Sequence, residues 1–333
     1  MSSFDPNLLP YFNPSVERRV CLITGGNSGL GYYTVLHLYL HGYVVYLAGR
    51  SQQRVQNAIE LLKKEAAARR TKYTHAQSGK RFSGSLHLLQ IDLLSLDSVE
   101  QAAKEFRQKE KCLHLLVLNA GIMAVPYGTT VDRFEVQLQT SYVSHFLLTD
   151  RLLGSMTSVE SDEQDPRIIF VSSVGHWFAP FHFSLDYQFD YFPNIIFTLF
   201  RYGMAKCAGI HFVKSSARRH PSVLAVAVHP GIVLNTNLFS HLTHLPLIGT
   251  LFWVFFQIFD WLLGVSNEEG SYASVRCALS DGVDRPADNG KYYTTFGLEM
   301  TPSPVANNTV YADETWAWTV RQLDDRGHTI ETL

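Results

Sequence analysis

Short, nearly continuous apolar runs alternate along the chain with stretches whose apolar residues recur every three or four positions. RVCLIT (19–24) is followed by GLGYYTVLHLYLHG, and YVVYLAG (43–49) by QQRVQNAIELLKKEAAARR. SLHLLQID (85–92) precedes SVEQAAKEFRQKE, and HLLVLNAG (114–121) precedes a long helical pattern over about 131–154. RIIFVSS (167–173) comes before a helix around Tyr202, then VLAVAVHPG (223–231) and GKYYTT (290–295). Brief runs without polar alternation predict strands buried on both faces, and the intervening 3.6-residue period predicts helices. The alternation predicts an α/β fold: a doubly wound, parallel, seven-stranded sheet with helices on both faces and right-handed crossovers.

Two polar stretches interrupt the pattern. Residues 69–84, RRTKYTHAQSGKRFSG, are basic, and 155–166, SMTSVESDEQDP, are acidic; both read as solvated loops. With no internal repeat, residues 1–333 are expected to form a single domain. Composition adds an apolar bias: 46% of residues are hydrophobic and 17% charged, against roughly 25% charged in ordinary soluble domains. The net charge of −2 argues against nucleic acid as a partner. Four cysteines without C-x-x-C spacing read as free thiols, and no His/Cys/Asp cluster has zinc spacing, so no metal is expected. The polar, proline-broken start, MSSFDPNLLPYFNPSVERR, reads as neither signal peptide nor mitochondrial presequence.

LITGGNSGLG follows the first strand and opens the first helix, so Gly25, Gly29 and Gly31 form T-G-x-x-x-G-x-G. Glycines there let backbone N–H groups approach a pyrophosphate at a helix N-terminus, the Rossmann-type arrangement for a dinucleotide. The second strand ends LAGRSQQR, with no acid to hold a ribose 2′-hydroxyl and with Arg50 placed to meet a 2′-phosphate. That favours NADP(H). Asp92, closing the third strand, is read either as an acceptor for the adenine amino group or as the cap of the next helix.

Tyr202 and Lys206 share one helix face, one turn apart. A free phenol has a pKa of about 10, and a neighbouring ammonium is expected to lower it into the range useful for proton exchange. LNAG (118–121), VSS (171–173), Tyr202-x-x-x-Lys206 and HPG (229–231) all map to the carboxyl edge of the sheet, where open α/β folds bind ligands.

In that order the motifs resemble the short-chain dehydrogenase/reductase family, over roughly 18–235 by motif and over the whole chain by element order. GYVVY, NAGIMAVP and SHFLLT resemble its retinol-dehydrogenase-like branch. LPYFNPSVERR, YYTVLHLYLHGYVVYLAGR, FEVQLQT and VHPGIVLNTNLFS resemble fungal oxidoreductases of that branch tied to lipid droplets and vacuole morphology. The resemblance implies that Tyr202 is the general acid/base. Lys206 would lower its pKa and hold the nicotinamide ribose, and Ser173, rather than Ser172, would hydrogen-bond the substrate oxygen. It carries cofactor contacts onto Gly25, Asn27, Ser28, Gly29, Leu30, Gly31, Arg50, Asp92, Asn119, Ala120, Gly121, Pro230, Gly231, Val233 and Thr236, besides Tyr202 and Lys206.

Two departures stand out. The family's catalytic Asn, in a Q-x-N-x-x-x-H-F pattern, is Ser141 here, in QTSYVSHF. The stretch from Ser173 to Tyr202 is long and aromatic, HWFAPFHFSLDYQFDYFPNIIFTLF, and reads either as an enlarged wall for an apolar substrate, with His176 at its polar edge, or as core packing. After the sixth strand, LPLIGTLFWVFFQIFDWLLGV (245–265) carries one charge, Asp260. Within an apolar extension over about 237–285 it reads as a lipid-contact segment in preference to a buried substrate lid; a bilayer span is rejected. The expected activity is NADP(H)-dependent interconversion of an alcohol and a carbonyl on an apolar substrate such as a retinoid, sterol or long-chain aldehyde. The expected place is the cytosolic face of a lipid droplet or the endoplasmic reticulum, with a homodimer possible. The alternative is a non-catalytic NADP-binding scaffold at a lipid surface, kept open by Ser141.

Overall fold

The computed structural model describes residues 4–159, 166–231, 233 and 265–331. Eight strands form one sheet: β1 (Val20–Thr24), β2 (Val44–Gly49), β3 (Ser85–Gln90), β4 (Leu115–Leu118), β5 (Arg167–Val171), β6 (Leu224–Val228), β7 (Tyr292–Thr294) and β8 (Leu298–Glu299). Their order is β3-β2-β1-β4-β5-β6-β7-β8. The first seven pair in parallel, as the apolar runs predict. β8 is the unanticipated eighth: two exposed residues pairing antiparallel with β7, too short and too open to leave a hydrophobic signature.

Alternate residues of each strand feed two separate cores. From β1, Val20 and Leu22 face α4 (Leu96–Lys109), α6 (Ser144–Thr157), α7 (Asn194–Arg219) and α9 (Thr309–Asp324). Cys21 and Ile23 face α1 (Gly29–Leu40), α2 (Gln52–Arg70) and α8 (Asn267–Leu279). Strand order reverses between β1 and β4, so a crevice opens there at the carboxyl edge. Side-chain caps mark several helix starts: Ser95 for α4, Ser266 with Glu269 for α8, and Asn308 for α9.

The helical pattern over 131–154 is shorter and more interrupted than its periodicity suggests. Regular helix begins only with α5 (Val136–Leu138), preceded by Arg133 at φ 63°. Gln139–Val143 then form a π turn, in which the Ser144 N–H reaches back to the Gln139 carbonyl, before α6 continues. The polar insertion 69–84 holds the last turn of α2 and a single turn, α3 (His75–Ser78). Arg81 holds the N-terminal arm: it lies 4.4 Å over the Tyr11 ring and donates to the Asn7 carbonyl at 3.1 Å.

Most of the apolar extension, 237–264, lies outside the described residues. In its carboxyl-terminal part, α8 buries Ala273, Val275, Cys277 and Leu279 against the sheet. Among the described residues no helix is long and apolar enough to cross a membrane.

Candidate active site

The glycine turn is built for close backbone approach. Gly25 and Gly29 adopt φ of 67° and 54°, which side chains disfavour. A Cβ on Gly31 would stand 2.3 Å from the Gly25 carbonyl oxygen and 2.6 Å from Asn119 Nδ2. Asn119 Nδ2 in turn donates to the carbonyls of Thr24 (2.9 Å) and Gly25 (3.2 Å), tying the end of β4 to the turn. Ser28 caps α1 in extended geometry without a side-chain capping bond and is exposed. The first-turn N–H groups and this hydroxyl therefore fit an anionic pyrophosphate.

Asn27 lies beside the end of β2, its Oδ1 3.6 Å from where a Gly49 Cβ would be, and Arg50 follows, exposed. Leu30 packs against Gly270 of α8 together with Val233, and the Pro230 carbonyl stands 3.4 Å from that same position. Gly231 is at φ 90° over Thr295, whose hydroxyl would clash with a Cβ at 2.8 Å. Thr236 lies outside the described residues. Asp92 does not cap α4, which Ser95 does; its Oδ1 accepts the Leu94 N–H at 3.0 Å, closing a turn.

At the other end of the crevice, Lys206 Nζ donates to the Val171 carbonyl at the tip of β5, 2.8 Å away, and lies 5.7 Å from the centre of the Tyr202 ring. Both side chains are buried. The two serines after β5 diverge. Ser172 is buried and donates to the Lys206 carbonyl at 3.1 Å, whereas half-buried Ser173 accepts the Gly175 N–H at 3.1 Å and stands beside Tyr202. Gly175 is where they converge. A Cβ there would meet the Tyr202 ring at 2.7 Å and Ser173 Oγ at 3.4 Å.

The electrostatics differ from the sequence expectation. Burial pushes the Tyr202 phenol up to about 12, and a hydrogen bond with Ser173 only draws it partly back. Burial also pulls the Lys206 ammonium down to about 8. Burial is the largest influence on both groups, and in this structure Lys206 contributes no lowering of the phenol.

Ser141 lies in the π turn, fully buried, with its Oγ unpaired. A Cβ on Gly121 would be 3.3 Å from Ser141 Oγ and 3.3 Å from Lys206 Nζ, so the hydroxyl and the ammonium border the same small space. Ala120 continues this floor, its N–H donating to Thr24 Oγ1 at 3.0 Å.

The aromatic segment before α7 divides its residues. Phe183 and Leu185 enter the core, while Trp177, Phe178, Phe181, Tyr187, Tyr191 and Phe192 are exposed, Phe192 to 94%. His176 is not at the edge of a wall. It is buried, stacks on Tyr292 and accepts the Ser303 N–H at 3.1 Å, and burial lowers its pKa to about 4. Among the described residues no group of three His, Cys, Asp or Glu side chains could hold a metal. Thr24, quoted only as the start of the glycine motif, and Gly175 were given no role from the sequence. The first closes an apolar strand directly before a glycine turn, and the second follows Ser173 by two positions; each offered that local signal and no periodic one.

The family profile for short chain dehydrogenase matches residues 19–187. The chain is 33% identical to the short-chain dehydrogenase/reductase drtF of Aspergillus calidoustus, over 96% of this chain and 98% of that one. It is 33% identical to bovine (Bos taurus) retinol dehydrogenase 12, over 90% and 84% of the two chains. It is 29% identical to human (Homo sapiens) polyprenol dehydrogenase, over 83% and 77%. The fold matches the Pseudomonas aeruginosa RhlG/NADP active-site complex with a TM-score of 0.60 at 18% identity, covering 86% of this chain and 98% of that one. The sheet order, the glycine turn at its crevice and these matches together make the chain a member of the short-chain dehydrogenase family of nicotinamide-dependent oxidoreductases.

Proposed function

We propose that the chain is an NADP(H)-dependent oxidoreductase interconverting an alcohol and a carbonyl on an apolar substrate, a retinoid, sterol or long-chain aldehyde. The observation that carries this reading is the convergence of the Tyr202 ring and Ser173 Oγ on Gly175, one helical turn from a buried Lys206. The bound nicotinamide would supply or accept the hydride. In the reductive direction Tyr202, whose raised pKa keeps its proton at neutral pH, donates that proton to the carbonyl oxygen. Ser173 donates a hydrogen bond to the same oxygen as charge builds. Lys206, anchored on Val171, would hold the cofactor's nicotinamide ribose with its remaining N–H groups.

The glycine turn, Ser28, Asn27 and Asn119 support the dinucleotide, and exposed Arg50 supports a 2′-phosphate. The names of the retinol and polyprenol dehydrogenases support a long apolar alcohol as substrate class. The exposed aromatic side chains from Trp177 to Phe192 support contact with a lipid surface, at a lipid droplet or the cytosolic face of the endoplasmic reticulum. The unpaired Ser141 hydroxyl, at the family's Asn position, supports a second reading: an NADP-binding scaffold at such a surface without turnover.

The test pairs binding with chemistry. NADPH and NADH are titrated by fluorescence, and absorbance loss is followed with retinal and long-chain aldehydes for wild type, Tyr202→Phe and Arg50→Ala. Turnover in wild type and its loss in Tyr202→Phe support the enzyme; NADPH binding with no carbonyl consumed in any protein supports the scaffold. Arg50→Ala is expected to weaken NADPH about tenfold or more, as lost charge-assisted hydrogen bonds do, and to spare NADH. Equal loss for both removes the NADP(H) preference. Flotation with neutral vesicles tests the lipid contact: Trp177, Phe181 and Phe192 changed together to Ser are expected to abolish it, and equal flotation removes that role.

A further inference from the structure

Thr24 Oγ1 receives two backbone N–H groups, from Asn119 and from Ala120, both at 3.0 Å. A hydroxyl oxygen has two lone pairs, so both are filled and its proton must be given away. It faces His145 Nε2, 3.0 Å distant. Nε2 is therefore the acceptor, and a neutral imidazole then carries its proton on Nδ1. That nitrogen lies 3.3 Å from the Ser141 carbonyl, which can only accept. One chain of hydrogen bonds thus runs from the floor beneath the glycine turn, through Thr24 and His145, to the π turn that carries Ser141.

The surroundings hold the ring in this single state. His145 is fully buried, with Phe170 set edge-on at 6.1 Å. Burial and the nearby Lys206 ammonium push its pKa down to about 3. A π turn is an irregularity that helices keep chiefly where it places a group. Here it places an unpaired hydroxyl beside Lys206.

We propose that His145 is a positioning residue: protonated on Nδ1 by Thr24's demand on Nε2, it fixes the Ser141 turn against Lys206 and couples that turn to the cofactor floor. The inference rests on the reading of Tyr202 and Lys206 as the reacting pair, and its two halves are separable. In His145→Asn the side-chain amide keeps a donor near the Nδ1 position and leaves the Thr24 hydroxyl without an acceptor. His145→Gln reaches the Nε2 position, keeps an acceptor for Thr24 and leaves the Ser141 carbonyl without its side-chain donor.

Turnover in His145→Gln is expected to fall at least about tenfold below that in His145→Asn, while NADPH affinity falls more in Asn than in Gln. Equal effects of the two variants on both quantities overturn the proposal. A second arm needs no turnover. In the full-length protein with 15N-labelled histidine, long-range 1H–15N spectra are expected to show His145 as the Nδ1–H tautomer from about pH 5 to about pH 9. Thr24→Val is expected to change that pattern. An Nε2–H tautomer in wild type, or no response to Thr24→Val, overturns the hydrogen-bond chain. If wild type reduces no carbonyl, the catalytic reading fails by itself, and the spectra still decide the chain.

Discussion

Gly175 lies so near Tyr202 that a methyl group on its Cα would stand 2.7 Å from Cε1 and 2.8 Å from Cδ1 of the phenol ring. Neither side can yield freely. The ring is buried, and Gly203 backs onto the same short helical segment, where a Cβ would meet the Gly175 carbonyl oxygen at 2.8 Å. Gly175→Ala therefore moves the phenol relative to Ser173 without touching the glycine turn. Overpacking of this kind costs about 1–3 kcal/mol. Steady-state kinetics are expected to show kcat down by about tenfold or more, as small misplacements of a reacting group do, with NADPH affinity kept. Unchanged kcat in a folded Gly175→Ala would mean that Tyr202 is not the group that reacts.

Lys206 gives a pH signature. Its folded-state pKa of about 8 lies below the unfolded value of about 10.4. Between those values the unfolded chain holds the proton and the folded chain does not, so this residue makes stability rise with pH across that window. Other groups titrate there as well, so the difference between wild type and Lys206→Met is the quantity to follow. Urea midpoints at about pH 8 and about pH 10 are expected to show a wild-type rise relative to Lys206→Met. For reduction the sign is opposite: the rate is expected to fall as the ammonium is lost above about pH 8. A parallel pair of midpoints would show that Lys206 keeps its proton when buried.

The strands were legible because a parallel sheet covered on both faces demands nearly continuous apolar runs, and β1, β2, β4, β5 and β6 have them, whereas edge strand β3 is only partly buried. β8 lacked that demand, since Leu298 and Glu299 are exposed. The helical period before β5 overran its start because Phe134 is apolar at the right spacing yet follows Arg133 in a left-handed backbone conformation. In the site, residue types at the ends of strands were readable, but their electrostatics were not. Spacing puts Lys206 near Tyr202 and cannot say how dry the space between them is, and dryness decides the direction of both pKa shifts. His176 shows the same limit from the other side. Its place beside the aromatic stretch suggested an edge, whereas its partner, the Ser303 N–H, is remote in sequence.

Arg201, the neighbour of Tyr202, is a buried clamp. It donates to the Phe189 carbonyl at 2.8 Å, to Asn194 Oδ1 at 2.6 Å and to the Val125 carbonyl at 3.2 Å. Its Nε stands 3.4 Å from Glu135 Oε1, with both side chains almost wholly inaccessible. Burial pushes the Glu135 carboxyl up and the Arg201 guanidinium down, so each charge is costly without the other. Arg201→Met leaves Glu135 uncompensated and is expected to lower unfolding free energy by about 3–5 kcal/mol. Adding Glu135→Gln removes the stranded charge and is expected to recover part of that loss. Denaturant melts of the two single variants and the double variant measure the coupling. Additive losses would show that the pair contributes nothing beyond its separate packing.

Acid should undo the fold through its histidines. Burial holds His41, His114, His176, His211 and His229 down at about 4. Several use a bare ring nitrogen as a hydrogen-bond acceptor. His114 Nδ1 takes the Val20 N–H at 3.1 Å, His176 Nε2 the Ser303 N–H at 3.1 Å and His229 Nδ1 the Val174 N–H at 3.3 Å. Protonating any of these nitrogens turns an acceptor into a donor facing another donor. The unfolded chain takes up those protons near pH 6.5, well before the folded one does. Stability from these groups is therefore present above about pH 6.5 and lost as the pH falls toward about 4. Urea midpoints from about pH 7 to about pH 4.5 are expected to drop steeply in wild type. They should drop less steeply in His229→Asn, whose side-chain carbonyl accepts the Val174 N–H without titrating. A midpoint constant across that range would mean that these rings are solvated or already charged in the folded protein.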